Sequence, residues 1–218
     1  KITFINGRAD LRGRLGAAVP QVAKGIRVDK RIGGKFLNAG PGYGGSCFPK
    51  DTIALVKTAA DYGAPTRLIE TTVEVNTARK KAMADKVAAV LGTEDLSGKT
   101  IAVLGLTFKP NTDDMRDAPS LDVIPALQAM GATIQAFDPQ DHEARRMFEN
   151  VDFKTGPYEA IAHADAMVIL TEWDQFRALD LDRVKLLMRT PVIVDLRNVY
   201  RPAEARVKGF AYSSIGRS

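Results

Sequence analysis

A chain of 218 residues, 45% hydrophobic and 26% charged, has the make-up of a soluble globular protein with material for one large domain or two small ones. No apolar run approaches the ~20 residues needed to span a bilayer, and no secretory signal is visible. The single cysteine, Cys47, leaves no internal disulfide framework, which suits the cytoplasm; one thiol with two histidines argues against a structural metal site. The formal charge of +5 is uneven: residues 1–57 carry 11 Lys/Arg against three Asp, and the remainder is slightly acidic. A basic segment can attract nucleic acid, a membrane surface or a phosphorylated small molecule. No nucleic-acid recognition motif accompanies the charge, so neither nucleic acid nor membrane is expected as a partner.

The opening "KITFING" has no initiator methionine and no polar lead-in, and reads as part of something longer. Through Ile26 there is no strand-like alternation, and "DLRGRLGAAVPQVAKGI" predicts short helices broken by glycine and Pro20. The glycine-rich loop "NAGPGYGGSCFPKDT" (38–52) leads into a helix whose first turn accommodates Pro49. That helix runs through "TIALVKTAADY" to Gly63, with Pro65 just beyond. A second helix is predicted from Thr66 to about Leu91, with Ile69, Val73, Asn76, Met83, Val87 and Val90 on one stripe. At ~1.5 Å per residue it exceeds ~35 Å, long enough for a spine between domains or a dimer interface.

After the turn at 97–99 the pattern changes. Apolar runs at 100–106, 133–138, 166–171 and 191–197 predict buried strands, and helices are expected at 120–130, 141–149, 158–162 and 181–188. Alternation of this kind predicts a parallel α/β sheet at about 97–218 behind an all-helical region at 1–92.

Three motifs bear on chemistry. Gly40, Gly42 and Gly45 match a dinucleotide fingerprint, but no strand precedes them and Pro41 lies inside the turn, so a close backbone approach to some other ligand is the better expectation. The α/β region shows the reverse: its first strand is in place and Asp138 ends the next, yet the turn "GLTFKPNTDDMRDAPS" is long and carries only Gly105. Lys109 and Arg116 in that turn could hold phosphate as side-chain charges, with Arg197 at another strand's carboxyl end. Cys47 stands just before a predicted helix start, with Lys50 a turn away, a setting that favours a reactive thiolate. A lone cysteine is otherwise a small buried filler, and the residues alone leave both readings open.

With these residues in view, "DKRIGGKFLNAGPGYGGSCFPKDT" (29–52) resembles the active-site segment of UDP-glucose 6-dehydrogenases. "LGLTFKPNTDDMRDAPS" (104–120) is similar to the opening of their C-terminal domain, and "VDLRNVY" (194–200) to a later ligand loop. The resemblance covers essentially the whole chain and is closer to the UDP-glucose type than to GDP-mannose relatives. It implies a helical dimerisation region with a long spine helix, then a Rossmann-like domain that grips the UDP-sugar. The family's N-terminal NAD-binding domain has no counterpart in this sequence, so the chain by itself is expected to be inactive. The implied reaction oxidises UDP-glucose twice with NAD⁺, giving UDP-glucuronate through a thiohemiacetal and a thioester on a cysteine.

The resemblance assigns roles position by position. Cys47 matches the nucleophile, Asp51 an aspartate that orients water or the oxyanion, and Lys50 a residue approaching the nicotinamide. Phe36, Leu37 and the backbone of Asn38, Gly40, Gly42, Tyr43 and Gly44 would wrap the sugar and uridine. Phe108 and Lys109 match UDP-sugar contacts, Arg197 a nucleoside contact and Arg116 an NAD contact. Arg31 matches an arginine that reaches a neighbouring subunit's substrate, which implies a homodimer. Gly7 and Arg8 depart from the family's usual glutamate and apolar residue, and "RGR" (12–14) is unusually basic; both weaken the expected first helix. A non-catalytic UDP-sugar-binding or dimerisation module, and a GDP-mannose dehydrogenase relative, are the competing expectations.

Overall fold

The computed structural model describes residues 1–15 and 18–217, with the backbone alone at residues 12–15. Four helices lead: α1 (Ile2–Leu15), α2 (Val19–Arg27), α3 (Phe48–Asp61) and α4 (Arg67–Leu91). The expected breaks in the first stretch are fewer than predicted. The first helix runs through Gly7 and Arg8 without interruption, and Pro20 sits in the first turn of α2, where its missing N–H costs nothing. The expectation that Arg12 to Arg14 weakens packing concerns side chains outside the described residues.

Helix α3 carries Pro49 in its first turn, and Gly63 follows it with φ +65°. Helix α4 is 25 residues long and closes on Gly92 in the left-handed region, φ +73°, which only glycine adopts at little cost. Its length is ~37 Å. The described helices include none long and apolar enough to cross a membrane.

The α/β region follows as β1 (Thr100–Leu104), α5 (Ser120–Ala129), β2 (Thr133–Phe137), α6 (Ala144–Met147), β3 (Val151–Phe153) and α7 (Pro157–Ile161). It continues with β4 (Ala166–Ile169), α8 (Asp174–Arg177), α9 (Leu181–Leu187), β5 (Val192–Asp195), α10 (Pro202–Val207) and β6 (Ala211–Ser214). The helix expected over 141–149 shrinks to α6, because Phe148 is already extended and feeds β3. Sequence patterning missed β3, β6, α8 and α10.

The six strands are all parallel, in the order β3-β2-β1-β4-β5-β6, with Val103 opposite Ala136 on one side and Val168 on the other. This is the doubly wound dinucleotide-fold order, whose strand order reverses between β1 and β4. Alternation along each strand sorts the core into two layers. Ala102 and Leu104 face α7, α9 and α10, with Phe176 and Tyr212. Ile101 and Val103 face α5 and, in the same layer, Met83, Ala84 and Val87 of α4 with Ile5 of α1 and Val19 of α2. The leading helices therefore share a core with one face of the sheet.

Candidate active site around Cys47

Cys47 is exposed and stands at the N-cap of α3. Its carbonyl accepts the Asp51 N–H at 2.9 Å, and its Sγ lies 3.5 Å from Ser46 Oγ. The first turn keeps its shape because Pro49 pre-sets φ and Thr52 Oγ1 donates back to the Phe48 carbonyl at 2.6 Å. The N-terminal end of a helix carries partial positive charge, and Cys47 stands at that end of α3. Lys50 and Asp51 lie beside it, both largely exposed and 3.5 Å apart.

The loop before Cys47 is pressed between α4 and the long β1–α5 connection. The Gly45 N–H donates to the Arg116 carbonyl at 2.7 Å. A side chain at Gly44 would collide with the Asp117 carbonyl, and one at Gly45 would meet the Phe108 ring at 2.8 Å. These glycines thus admit the protein's own backbone and ring at close range.

The same contact brings Phe108 and Lys109 to the loop; Lys109 Nζ sits 5.2 Å above the Phe108 ring. Arg116 pairs through two hydrogen bonds with Asp114, at 2.9 and 2.7 Å. Asp114 raises the guanidinium above its ordinary value, through its hydrogen bonds first and its charge second.

Arg197, after β5, donates from Nε to the Leu170 carbonyl at 2.7 Å and from Nη2 to the Phe108 carbonyl at 3.0 Å, with Glu172 at 3.0 Å from Nε. It ties three strand ends together and lies against Gly40. Asp195, fully buried beneath it, accepts from the Arg197 N–H, the Tyr200 N–H and the Tyr212 hydroxyl.

Segment 36–40 runs between two cavities. On one side, 240 Å³ is lined by Lys1, Phe36, Tyr43, Phe48, Thr52 and Thr72; the Phe48 ring stands edge-on to Phe36 and Tyr43, at 5.5 and 6.2 Å. Phe36 is half exposed with φ +64°, an unusual backbone state for a bulky residue. Burial pushes the Tyr43 phenol up. On the other side, 290 Å³ is lined by Arg27, Leu37, Asn38, Glu172, Arg197 and Arg217. The Leu37 side chain is buried in the core and Asn38 Oδ1 accepts from Arg27 at 2.7 Å, so this stretch offers mainly backbone.

Among the predicted residues, Cys47, Lys50, Asp51, Gly40, Gly42, Tyr43, Gly44, Phe108, Lys109, Arg116 and Arg197 fall in one neighbourhood. Arg31 does not: it projects into solvent, paired with Asp29 at 2.7 Å. Sequence reasoning missed Asn6, Asn76, Arg79 and Lys80, all buried and all bonded to this loop or its neighbour. The available signal was Asn76, a polar residue in an otherwise apolar stripe.

The sheet itself does not fit a dinucleotide in the usual way. No short glycine turn follows β1, and the Asp138 carboxylate, where a ribose would be met, is occupied by the backbone N–H groups of Leu106 and Thr107 and by Trp173 Nε1. No cluster of metal-binding side chains occurs among the described residues.

Both regions of the chain are similar to known proteins. The model of the UDP-glucose/GDP-mannose dehydrogenase family central domain matches residues 1–78, and that of the same family's UDP binding domain matches residues 102–202. A UDP-glucose 6-dehydrogenase of Rhizobium meliloti (strain 1021) is 61% identical over all of this chain and 50% of the relative's length. The UDP-glucose 6-dehydrogenase TuaD of Bacillus subtilis (strain 168) is 47% identical, again over 100% of this chain and 47% of its own length. Among solved structures, a UDP-glucose dehydrogenase of Pyrobaculum islandicum superposes with a TM-score of 0.87 at 32% identity, over 100% of this chain and 48% of its own. An NDP-N-acetyl-D-galactosaminuronic acid dehydrogenase of Methanosarcina mazei Go1 reaches the same TM-score, 0.87, at 29% identity with the same coverage of 100% and 48%. The chain spans about half the length of the curated relatives it matches. With both regions matched in order and the loops interlocked as described, the chain belongs to the UDP-glucose/GDP-mannose dehydrogenase family.

Proposed function

We propose that this chain is the central and C-terminal part of a cytoplasmic, NAD-dependent UDP-glucose 6-dehydrogenase, with residues 1–92 as the dimerisation unit and 97–218 as the UDP-sugar-binding unit. The observation that carries the reading is an exposed thiol at a helix N-terminus, on a loop wedged against the strand ends and bonded to the Arg116 carbonyl. The C6 alcohol is first oxidised to the aldehyde, to which Cys47 adds as a thiohemiacetal; a second oxidation gives the thioester, and water releases UDP-glucuronate and the free thiol. NAD⁺, when bound, supplies the hydride acceptor for both oxidations. Its main hold lies outside residues 1–218, and this chain contributes Cys47, Lys50 and Arg116 beside it.

Asp51, on the same helical turn as Cys47, orients the attacking water or the oxyanion. Phe36, Leu37 and the 38–44 backbone wrap the sugar and uridine, while Phe108, Lys109 and Arg197 hold the nucleotide's charged part. Arg31, free of the site in its own chain, reaches the site of a second copy. The outward face of α4 supports that homodimer: Leu68, Thr71, Val75, Ala78 and Ala82 are exposed at coiled-coil spacing, and most are small enough for close helix approach.

In the full-length protein carrying this sequence, Cys47→Ser should abolish NADH formation from UDP-glucose while calorimetry still registers sugar-nucleotide binding. Retained turnover would refute the assignment of the nucleophile. The 218-residue chain alone should bind UDP-glucose without producing NADH; robust turnover by it would refute the placement of the NAD hold. Because the fold is shared with a dehydrogenase of another sugar, the glucose preference is tested by competition among UDP-sugars.

A further inference from the structure

Three side chains on one stretch of α4 reach across to the cysteine loop. Asn76, Arg79 and Lys80 share a helix face and are each no more than 6% exposed. The Asn76 amide treats Tyr43 as a neighbouring strand would. Its Oδ1 accepts the Tyr43 N–H at 2.9 Å, and its Nδ2 donates to the Tyr43 carbonyl at 3.1 Å. Arg79 Nε donates to the Gly40 carbonyl at 2.6 Å, while its Nη1 is held by both carboxylate oxygens of Asp10 at 2.7 Å. Lys80 Nζ donates to the Asp117 carbonyl at 2.9 Å and lies 3.4 Å from the Asp122 carboxylate.

Asp117 is the residue against which Gly44 packs, and the carbonyl before it, that of Arg116, takes the Gly45 N–H. The helix therefore grips both partners of the contact between the cysteine loop and the β1–α5 connection. Neighbouring turns of α4 present Met83, Ala84 and Val87 to the core. Cohesion alone would be served by more of the same, since burying an amide and an ammonium carries a desolvation cost. What the polar groups add is direction. They fix irregular backbone that has no strand or helix partner of its own.

We infer that Asn76 and Lys80 are positioning residues for Cys47: through Tyr43 and Asp117 they lock the 42–47 loop to the 108–118 segment and fix where the thiol stands relative to Arg116. The catalytic meaning of this lock rests on Cys47 being the nucleophile, whereas the geometry it predicts does not.

Cys47 is the only cysteine, so thiol chemistry on the 218-residue chain reports on it alone. Asn76→Ala opens the clamp without changing charge. Modification rates by a dianionic aromatic disulfide and by neutral dithiodipyridine are measured side by side, with circular dichroism as the check on folding. The ratio of anionic to neutral rate should fall ~5-fold in the variant, as the Arg116 charge is no longer fixed relative to the thiol. An unchanged or higher ratio in a folded variant overturns the inference.

Hydrogen exchange on the unsubstituted chain tests the lock independently of whether the variant folds. The Tyr43 and Gly45 amides should exchange as slowly as those of α4, and fast exchange at both overturns it. In the full-length enzyme, Asn76→Ala should lower kcat ~10-fold or more with little change in KM for UDP-glucose. Should Cys47→Ser retain turnover, the nucleophile reading fails while the thiol and exchange results still decide the lock.

Discussion

Replacing Gly44 by alanine places a methyl group where the Asp117 backbone already is. Its Cβ would lie 2.8 Å from the Asp117 carbonyl carbon and 3.2 Å from the Ala118 nitrogen, with the carbonyl oxygen closer still. Carbon atoms rest comfortably at ~3.5–4.0 Å, so the two segments must part by ~1 Å. Overpacking of that size costs ~1–3 kcal/mol. The separation also carries the Gly45 N–H away from the Arg116 carbonyl, now at 2.7 Å, which removes ~1 kcal/mol more. The sum, ~2–4 kcal/mol, corresponds to a fall of about 5–15 °C in Tm for a chain of this size, read by thermal circular dichroism. Gly7 is the internal control. It lies within α1 with nothing among the described residues within 4 Å of an added Cβ, so Gly7→Ala should stabilise by ~0.5–1 kcal/mol. A Gly44→Ala protein that melts with the unsubstituted one, while Gly7→Ala shifts as expected, would refute the close-approach argument.

Two further outcomes follow from buried groups near the strand ends. Asp138→Asn sets an amide N–H₂ or a weaker acceptor against the Leu106, Thr107 and Trp173 donors, and should lower urea-unfolding stability by ~2–4 kcal/mol; an unmoved midpoint would show that these bonds are not what holds the β1–α5 connection. Burial first, and the Asp195 carboxylate second, push the Tyr200 and Tyr212 phenols above their ordinary value of 10.0. Folding then holds their protons more tightly than the unfolded chain does. The associated stability is complete below the unfolded value of about 10 and is lost as pH climbs toward the folded values. In an ultraviolet titration these two phenolates should form only as circular dichroism reports unfolding. Reversible ionisation of all five tyrosines near pH 10 in the folded chain would contradict it.

The central strands were legible because burial on both faces writes them as unbroken apolar runs, as in "TIAVLGL" around β1. The edge strands were not. Val151–Phe153 and Ala211–Ser214 are only partly covered, and their mixed residues carry no such run. Helix α4 was expected from Thr66 to about Leu91 and runs from Arg67 to Leu91, and its apolar stripe gave the buried face correctly. The cysteine loop was recognised through its glycines and Cys47, but their packing was not, because the partners at Phe108 and Asp117 lie far along the chain. For the same reason nothing in the sequence singled out Arg79 and Lys80. Only the fold reveals that a carbonyl waits opposite each of them.

The press of Gly44 on Asp117 also bears on how such proteins can be recombined. A chimera that exchanged the C-terminal sheet between two relatives at the turn after α4 would bring in a new 105–119 connection beneath the old cysteine loop. The fit of one glycine to one carbonyl, and of the Phe108 ring to the next glycine, would then depend on backbones never selected together. Segments 38–47 and 105–119, far apart in sequence, behave as a single exchangeable part, and the natural cut for grafting runs around both of them.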